Sequence, residues 1–100
     1  MNRERISAHE LSRARGVRIV DIRKNPDGRQ IPGSQRTDGA ALESAAPPFT
    51  KGEPVVLYCG SGNSSTRVAA SLRSRGYDAI VLDGGYAAWV SAGLPTEKSS

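Results

Sequence analysis

The sequence predicts one α/β domain: a parallel sheet of about five strands flanked by helices on both faces. Its 100 residues suffice for one core and are too few for two. Short apolar runs, VRIVDI at 17–22, VVLY at 55–58 and AIVL at 79–82, alternate with stretches of helical spacing. Such alternation is the pattern of βα units, in which helices cover both faces of a parallel sheet.

The elements follow in order. Ser7 and Glu10 have capping-box spacing, so residues 8–15 form a short scaffolding helix that Gly16 ends. Residues 17–22 are rich in β-branched side chains and form a strand, with polar chemistry beginning at Asp21 and Arg23. Residues 24–39 are dense in Pro, Gly, Asp, Asn and Gln and are irregular, broken by a turn at Ile31-Pro32-Gly33. Residues 40–46 make a brief helix stopped by Pro47 and Pro48, and the turn at 51–54 feeds the strand 55–58. After a polar turn at 60–65, residues 66–75 place Val68, Ala69 and Leu72 on one helical face, and Gly76 caps them. The strand 79–82 leads through Asp83-Gly84-Gly85 to a helix reaching about Ala92, ended by Gly93-Leu94-Pro95. Residues 1–5 and 96–100 are expected to fray. There is no internal repeat and no linker.

Composition excludes several function classes. The formal charge of +4 comes mostly from arginines scattered along the chain. Scatter of that kind suits small anions better than a nucleic-acid stripe, and the five aromatic residues offer no stacking platform. The single cysteine excludes an internal disulfide and a multi-cysteine metal site, in keeping with a reducing compartment. Residues 1–13 are charged throughout without the apolar segment of a signal peptide, and no later stretch could span a bilayer. A cytoplasmic protein with neither membrane nor nucleic-acid partner is expected.

The candidate chemistry sits at Cys59, between the strand 55–58 and the next helix. In parallel sheets, ligands bind beyond the carboxyl ends of the strands, and Cys59 lies at that end of its strand. Gly60 and Gly62 allow backbone conformations closed to other residues, so successive amides can turn inward as an anion-binding nest. A helix starting near Ser65 adds its positive end to the same spot. Those donors should lower the thiol pKa, and the thiolate is the reactive form. Ser61, Asn63, Ser64 and Ser65 add hydroxyl or amide donors, with the main-chain amides expected to matter more. The plain alternative is a packed structural thiol, but the flexible polar residues that follow argue against it. His9, the one histidine, lies on the first helix and reads as a surface residue.

The stretch VVLYCGSGNSSTRVAASLRSRGYDAIVLDGGYAAW resembles the catalytic half of a rhodanese domain, including the D-G-G-x-x-x-W signature at Asp83 to Trp89. VDIR at 20–23 and IPGS at 31–34 resemble first-half motifs of the same family, so the resemblance spans nearly the whole chain. It implies a sulfurtransferase: Cys59 takes the outer sulfur of a donor such as thiosulfate, then passes it from a persulfide to cyanide or a thiol. Such covalent chemistry asks for no metal and no organic cofactor. Within the family's D-V-R element, Asp21 is expected to tie loops down and Arg23 to reach an anionic substrate. One departure stands out: residues 25–30 (NPDGRQ) are shorter than the family's E-F/Y-x-x-G-H segment and lack its histidine.

Three rivals differ in class. Cysteine phosphatases and arsenate reductases of related folds use Cys-x5-Arg, whereas the first arginine after Cys59 here is Arg67. A binding module could use the fold as a scaffold, although the cysteine would then be idle. A relay handing persulfide sulfur between partner proteins needs the same cysteine and an open basic surface.

Overall fold

The computed structural model describes residues 4–44 and 47–99. Two strands carry the fold, β5 (Val55–Tyr58) and β6 (Ala79–Leu82), and every residue of both is buried. Alternation along β5 sends Val55 and Leu57 to one face of the sheet and Val56 and Tyr58 to the other. The first face packs on Leu42 of α2 (Gly39–Ser44) and on Val68, Ala69 and Leu72 of α3 (Asn63–Ser74). The second packs on Leu11 of α1 (Ala8–Arg13) and Trp89 of α4 (Gly85–Ser91). Helices on both faces leave no side of these strands wet, which is why their sequence is apolar without interruption.

The main sheet is all parallel and runs β1 (Arg5–Ile6), β6, β5, β2 (Arg18–Asp21), β4 (Gln35–Arg36). The pairing Asp21↔Tyr58 makes the carboxyl ends of β2 and β5 level, and Ile22 N–H donates to the Tyr58 carbonyl at 2.9 Å. Residues 22–24 therefore emerge beside residues 59–62. A separate antiparallel pair joins β3 (Arg29–Gln30) to β7 (Glu97–Lys98).

Several boundaries differ from expectation. The capping box forms, with Glu10 N–H donating to Ser7 Oγ at 3.1 Å, but α1 ends at Arg13 and the chain is already extended at Ala14. The strand expected over 17–22 spans Arg18–Asp21, and Ile22 N–H makes its last bond to β5, at the Tyr58 carbonyl. The segment 24–39, expected to be wholly irregular, contributes the two-residue strands β3 and β4. Helix α3 begins at Asn63, so residues 63–65 form its first turn and do not belong to the preceding loop. Of the helix expected at 40–46, residues 45–46 lie outside the described residues, as do residues 1–3 and 100 of the ends expected to fray. Within those ends, Arg5 pairs with Val81, and residues 97–98 are held by β3 and by Arg29, which donates to Thr96 through Nε and Nη2 at 2.7 Å each.

Candidate active site

Cys59 is the first residue past β5 and is 6% exposed. Its Sγ accepts an N–H bond from Gly62 at 3.0 Å and another from Ser65 at 3.5 Å, and it lies 3.5 Å from the Ser65 hydroxyl. Gly62 makes this possible: it caps α3 from the left-handed region at φ 103°, which glycine alone enters without cost, and so aims its own amide back at the sulfur. Gly60, expected to need similar freedom, does not take a positive φ, and space around its α-carbon is open.

The Ser65 side chain is fully buried and also donates to the Gly62 carbonyl at 3.3 Å. Thr66 Oγ1 donates to that same carbonyl at 2.6 Å. With the carbonyl already satisfied, the single Ser65 proton can swing to an anionic sulfur without leaving an acceptor stranded. Burial raises the Cys59 pKa; the Ser65 hydroxyl and the amides of Ser65, Gly62 and Ser61 lower it, and together they hold it below its ordinary value. Hydrogen bonds that favour the charged form thus outweigh desolvation.

The loop rests on α4. Tyr86 N–H donates to the Cys59 carbonyl at 2.8 Å and Ala87 N–H to the Gly60 carbonyl at 3.0 Å. Contact is so close that a Cβ on Gly85 would fall 2.5 Å from the Cys59 carbonyl oxygen. Gly85 and Tyr86 support the cysteine loop and were not among the expected site residues; the signal for Gly85 is the glycine pair within the D-G-G-x-x-x-W stretch.

Asp21 and Arg23 brace the neighbouring strand end. Asp21 is fully buried and accepts from Arg23 N at 2.9 Å, Arg23 Nη2 at 2.7 Å, Tyr58 Oη at 3.0 Å and Arg36 Nη1 at 3.5 Å. Burial, with the Asp21 charge beside it, pushes the Tyr58 phenol up to about 12, so it serves as a donor. Arg23, expected to reach an anionic substrate, lines the cysteine cavity with most of its guanidinium hydrogen-bonded within the protein. Its Nε and Nη2 bind Asp21, its Nη2 also binds the Arg29 carbonyl at 2.5 Å, its Nη1 meets Asp27 at 3.3 Å, and its plane lies 4.1 Å from the Tyr86 ring centre. The guanidinium thus joins β2, residues 27–29 and α4.

A cavity of about 290 Å³ opens over the sulfur, lined by residues 22–25, Cys59, Gly60, Ser61 and Ser64. Asn63, expected among the donors, is exposed and outside that lining. His9 is exposed on α1, which packs on the sheet face opposite the Cys59 cluster. Among the described residues no three His, Cys, Asp or Glu side chains gather as metal ligands would, and no helix is long and apolar enough to cross a membrane.

The model of the rhodanese-like domain matches residues 6–92. The chain belongs to that family. Among its relatives, the thiosulfate sulfurtransferase GlpE of Pseudomonas fluorescens strain SBW25 is 36% identical over 91 residues, covering 88% of this chain and 83% of the relative. An uncharacterised Synechocystis protein is 36% identical over 93 residues; the match covers 90% of this chain and only 52% of that protein, so the chain spans about half its length. A solved rhodanese-like domain protein from Staphylococcus aureus superposes with a TM-score of 0.82 at 27% identity, covering 97% of this chain and 99% of that one. The parallel five-stranded sheet with its helices is thus the rhodanese-like fold.

Proposed function

We propose that this rhodanese-like domain is a sulfurtransferase that moves a sulfane sulfur from an anionic donor such as thiosulfate to a thiophilic acceptor. The observation that carries it is the pair of main-chain N–H groups, from Gly62 and Ser65, directed at Cys59 Sγ beneath an open cavity. The likeness to GlpE, a thiosulfate sulfurtransferase by name, points the same way.

In the first half-reaction the Cys59 thiolate attacks the outer sulfur of thiosulfate. A new S–S bond forms, the bond to the sulfonate sulfur breaks, and its electron pair leaves with sulfite. The product, Cys59-S-S⁻, carries its charge one atom further out, towards the amides and hydroxyls of the loop. In the second half, a thiophile such as cyanide or a thiolate takes that outer sulfur, and the electron pair of the broken bond returns to Cys59 Sγ. The reaction asks only that the lone cysteine stay reduced, as it would in the cytoplasm.

Phosphoryl or arsenate chemistry fits less well. Arg67, the first arginine after the cysteine, is 69% exposed, pairs with Glu43 at 3.6 Å and is not among the residues lining the cysteine cavity, so no arginine fork that follows the cysteine grips a tetrahedral oxyanion there. The test is intact-mass spectrometry after incubation with thiosulfate. The expected result is a gain of one sulfur atom, lost on adding cyanide and absent from Cys59→Ser. An unmodified parent protein, or a Cys59→Ser protein that still turns over, overturns the proposal.

A further inference from the structure

A second cavity lies on the sheet face opposite the Cys59 cluster. It encloses about 310 Å³ between α1, β2, the turn at Ile31-Pro32 and the segment that follows α4. Its walls include Leu11, Ile19, Ile31, Pro32, Trp89 and Pro95. Two lining side chains carry a polar proton, and both are satisfied internally: Ser12 Oγ donates to the His9 carbonyl and Trp89 Nε1 to the Pro95 carbonyl, each at 2.7 Å. The walls therefore offer a ligand apolar contact. Cavities of roughly 300–1,000 Å³ with apolar and aromatic walls hold small organic molecules.

The surroundings supply the charge. Arg29 Nε and Nη2 donate to Thr96, the residue after Pro95, at 2.7 Å each, which pins the guanidinium at that end of the cavity. Its Nη1 has no hydrogen-bond partner among the described residues, and no carboxylate meets the group. The acids close to it in the chain are engaged elsewhere. Asp27 accepts from the Arg29 main-chain N–H and from Arg23 Nη1, and Glu97 accepts from Gln30 Nε2 and Gly33 N–H. Lys98, paired with Arg29 across the β3–β7 ladder, is a second exposed cation without an ion pair among the described residues. Arg13 and Arg15, on either side of the lining residue Ala14, are exposed and equally unpaired there. An apolar slot flanked by unneutralised positive charge is complementary to a ligand with an apolar body and an anionic head.

We propose that this cavity binds a small amphipathic carboxylate, its aliphatic or aromatic body against Trp89 and Ile31 and its carboxylate on Arg29 Nη1 at the Pro95 end. Arg29 suits the task because two of its nitrogens are already fixed on Thr96, so little side-chain freedom is left to lose on binding. The site is separate from Cys59 and does not depend on the sulfur-transfer reading.

The probes are octanoate and its uncharged isostere octanamide. Trp89 is the only tryptophan of the chain and is 3% exposed, so its fluorescence reports on the cavity. Octanoate should change that fluorescence saturably and bind about fivefold more tightly than octanamide, the scale of one exposed charge pair. Arg29→Gln should remove most of this preference with octanamide binding unchanged, and Arg29→Lys should keep most of it. In amide NMR of the parent protein, octanoate should move the Ile31 N–H and the Trp89 Nε1–H and leave the Gly62 and Ser65 amides in place. The proposal is overturned if octanoate perturbs neither Trp89 nor Ile31, if its shifts centre on the Cys59 loop, or if Arg29→Gln retains the preference. Should Arg29→Gln lose octanamide as well, the parent protein decides: equal affinity for the two probes overturns the proposal, and a preference for octanoate with the Ile31 and Trp89 shifts upholds it.

Discussion

Replacing Gly85 with alanine should damage both stability and reactivity, although Gly85 touches no substrate. The added Cβ would stand 2.5 Å from the Cys59 carbonyl oxygen and 2.9 Å from the carbonyl carbon and oxygen of Gly60. All three atoms belong to the backbone of the cysteine loop, so relief requires moving that loop. Gly85 also sits at φ 62°, a left-handed conformation that costs an alanine about 1–2 kcal/mol. Forcing extra volume into a packed site adds about 1–3 kcal/mol, for a combined loss of roughly 2–5 kcal/mol. The displaced loop would loosen the bonds from Tyr86 and Ala87 to the Cys59 and Gly60 carbonyls and carry Sγ off its amides. Gly60→Ala is the matched control, since nothing lies within 4 Å of its Cβ and its φ is not positive; its stability should stay within about 1 kcal/mol of the parent. Urea unfolding midpoints and the rate of Cys59 alkylation by iodoacetamide at neutral pH read both effects. A Gly85→Ala protein that unfolds and alkylates like Gly60→Ala would refute the reasoning.

Two further substitutions test the supports around the sulfur. Ser65→Ala removes the buried hydroxyl 3.5 Å from Sγ; with one hydrogen bond to a developing anion worth about 1 kcal/mol, alkylation at neutral pH should slow about fivefold, and an unchanged rate would show that this hydroxyl does not serve the anion. Asp21→Ala strands the Arg23 guanidinium, 6% exposed, without its counter-charge, and should cost about 3–5 kcal/mol in urea unfolding. Adding Arg23→Met to that variant should recover part of the loss, whereas additive losses would mean the pair is not the unit described.

The sequence was most legible where burial was most complete. VVLY and AIVL read as strands because both faces of each are covered, so every position had to be apolar. The four two-residue strands were not legible: Arg5–Ile6, Arg29–Gln30, Gln35–Arg36 and Glu97–Lys98 owe their extended form to the partner beside them and carry mostly polar side chains. The start of α3 was misplaced for a functional reason. Asn63, Ser64 and Ser65 look like loop residues, yet Ser65 is polar because it faces a sulfur, and the helix must begin there to present its free amide. Arg23 misled in the opposite direction. Beside a predicted active site a lone arginine reads as an anion binder, but its three partners and the Tyr86 ring come from residues 21, 27, 29 and 86, a convergence only the fold creates.

The account turns on whether main-chain amides hold Cys59 as an anion. Because the folded thiol titrates below its ordinary value, ionised Cys59 stabilises the fold fully above the unfolded thiol's pKa of about 8.5, and that contribution is lost as pH falls through the folded value. Alkylation of Cys59 by iodoacetamide, followed against pH for the native protein and for the same chain unfolded in urea, measures this directly. A native midpoint lying below the unfolded one is the expected result. A native midpoint equal to or above it would mean that burial, not the amides of Gly62 and Ser65, governs the sulfur.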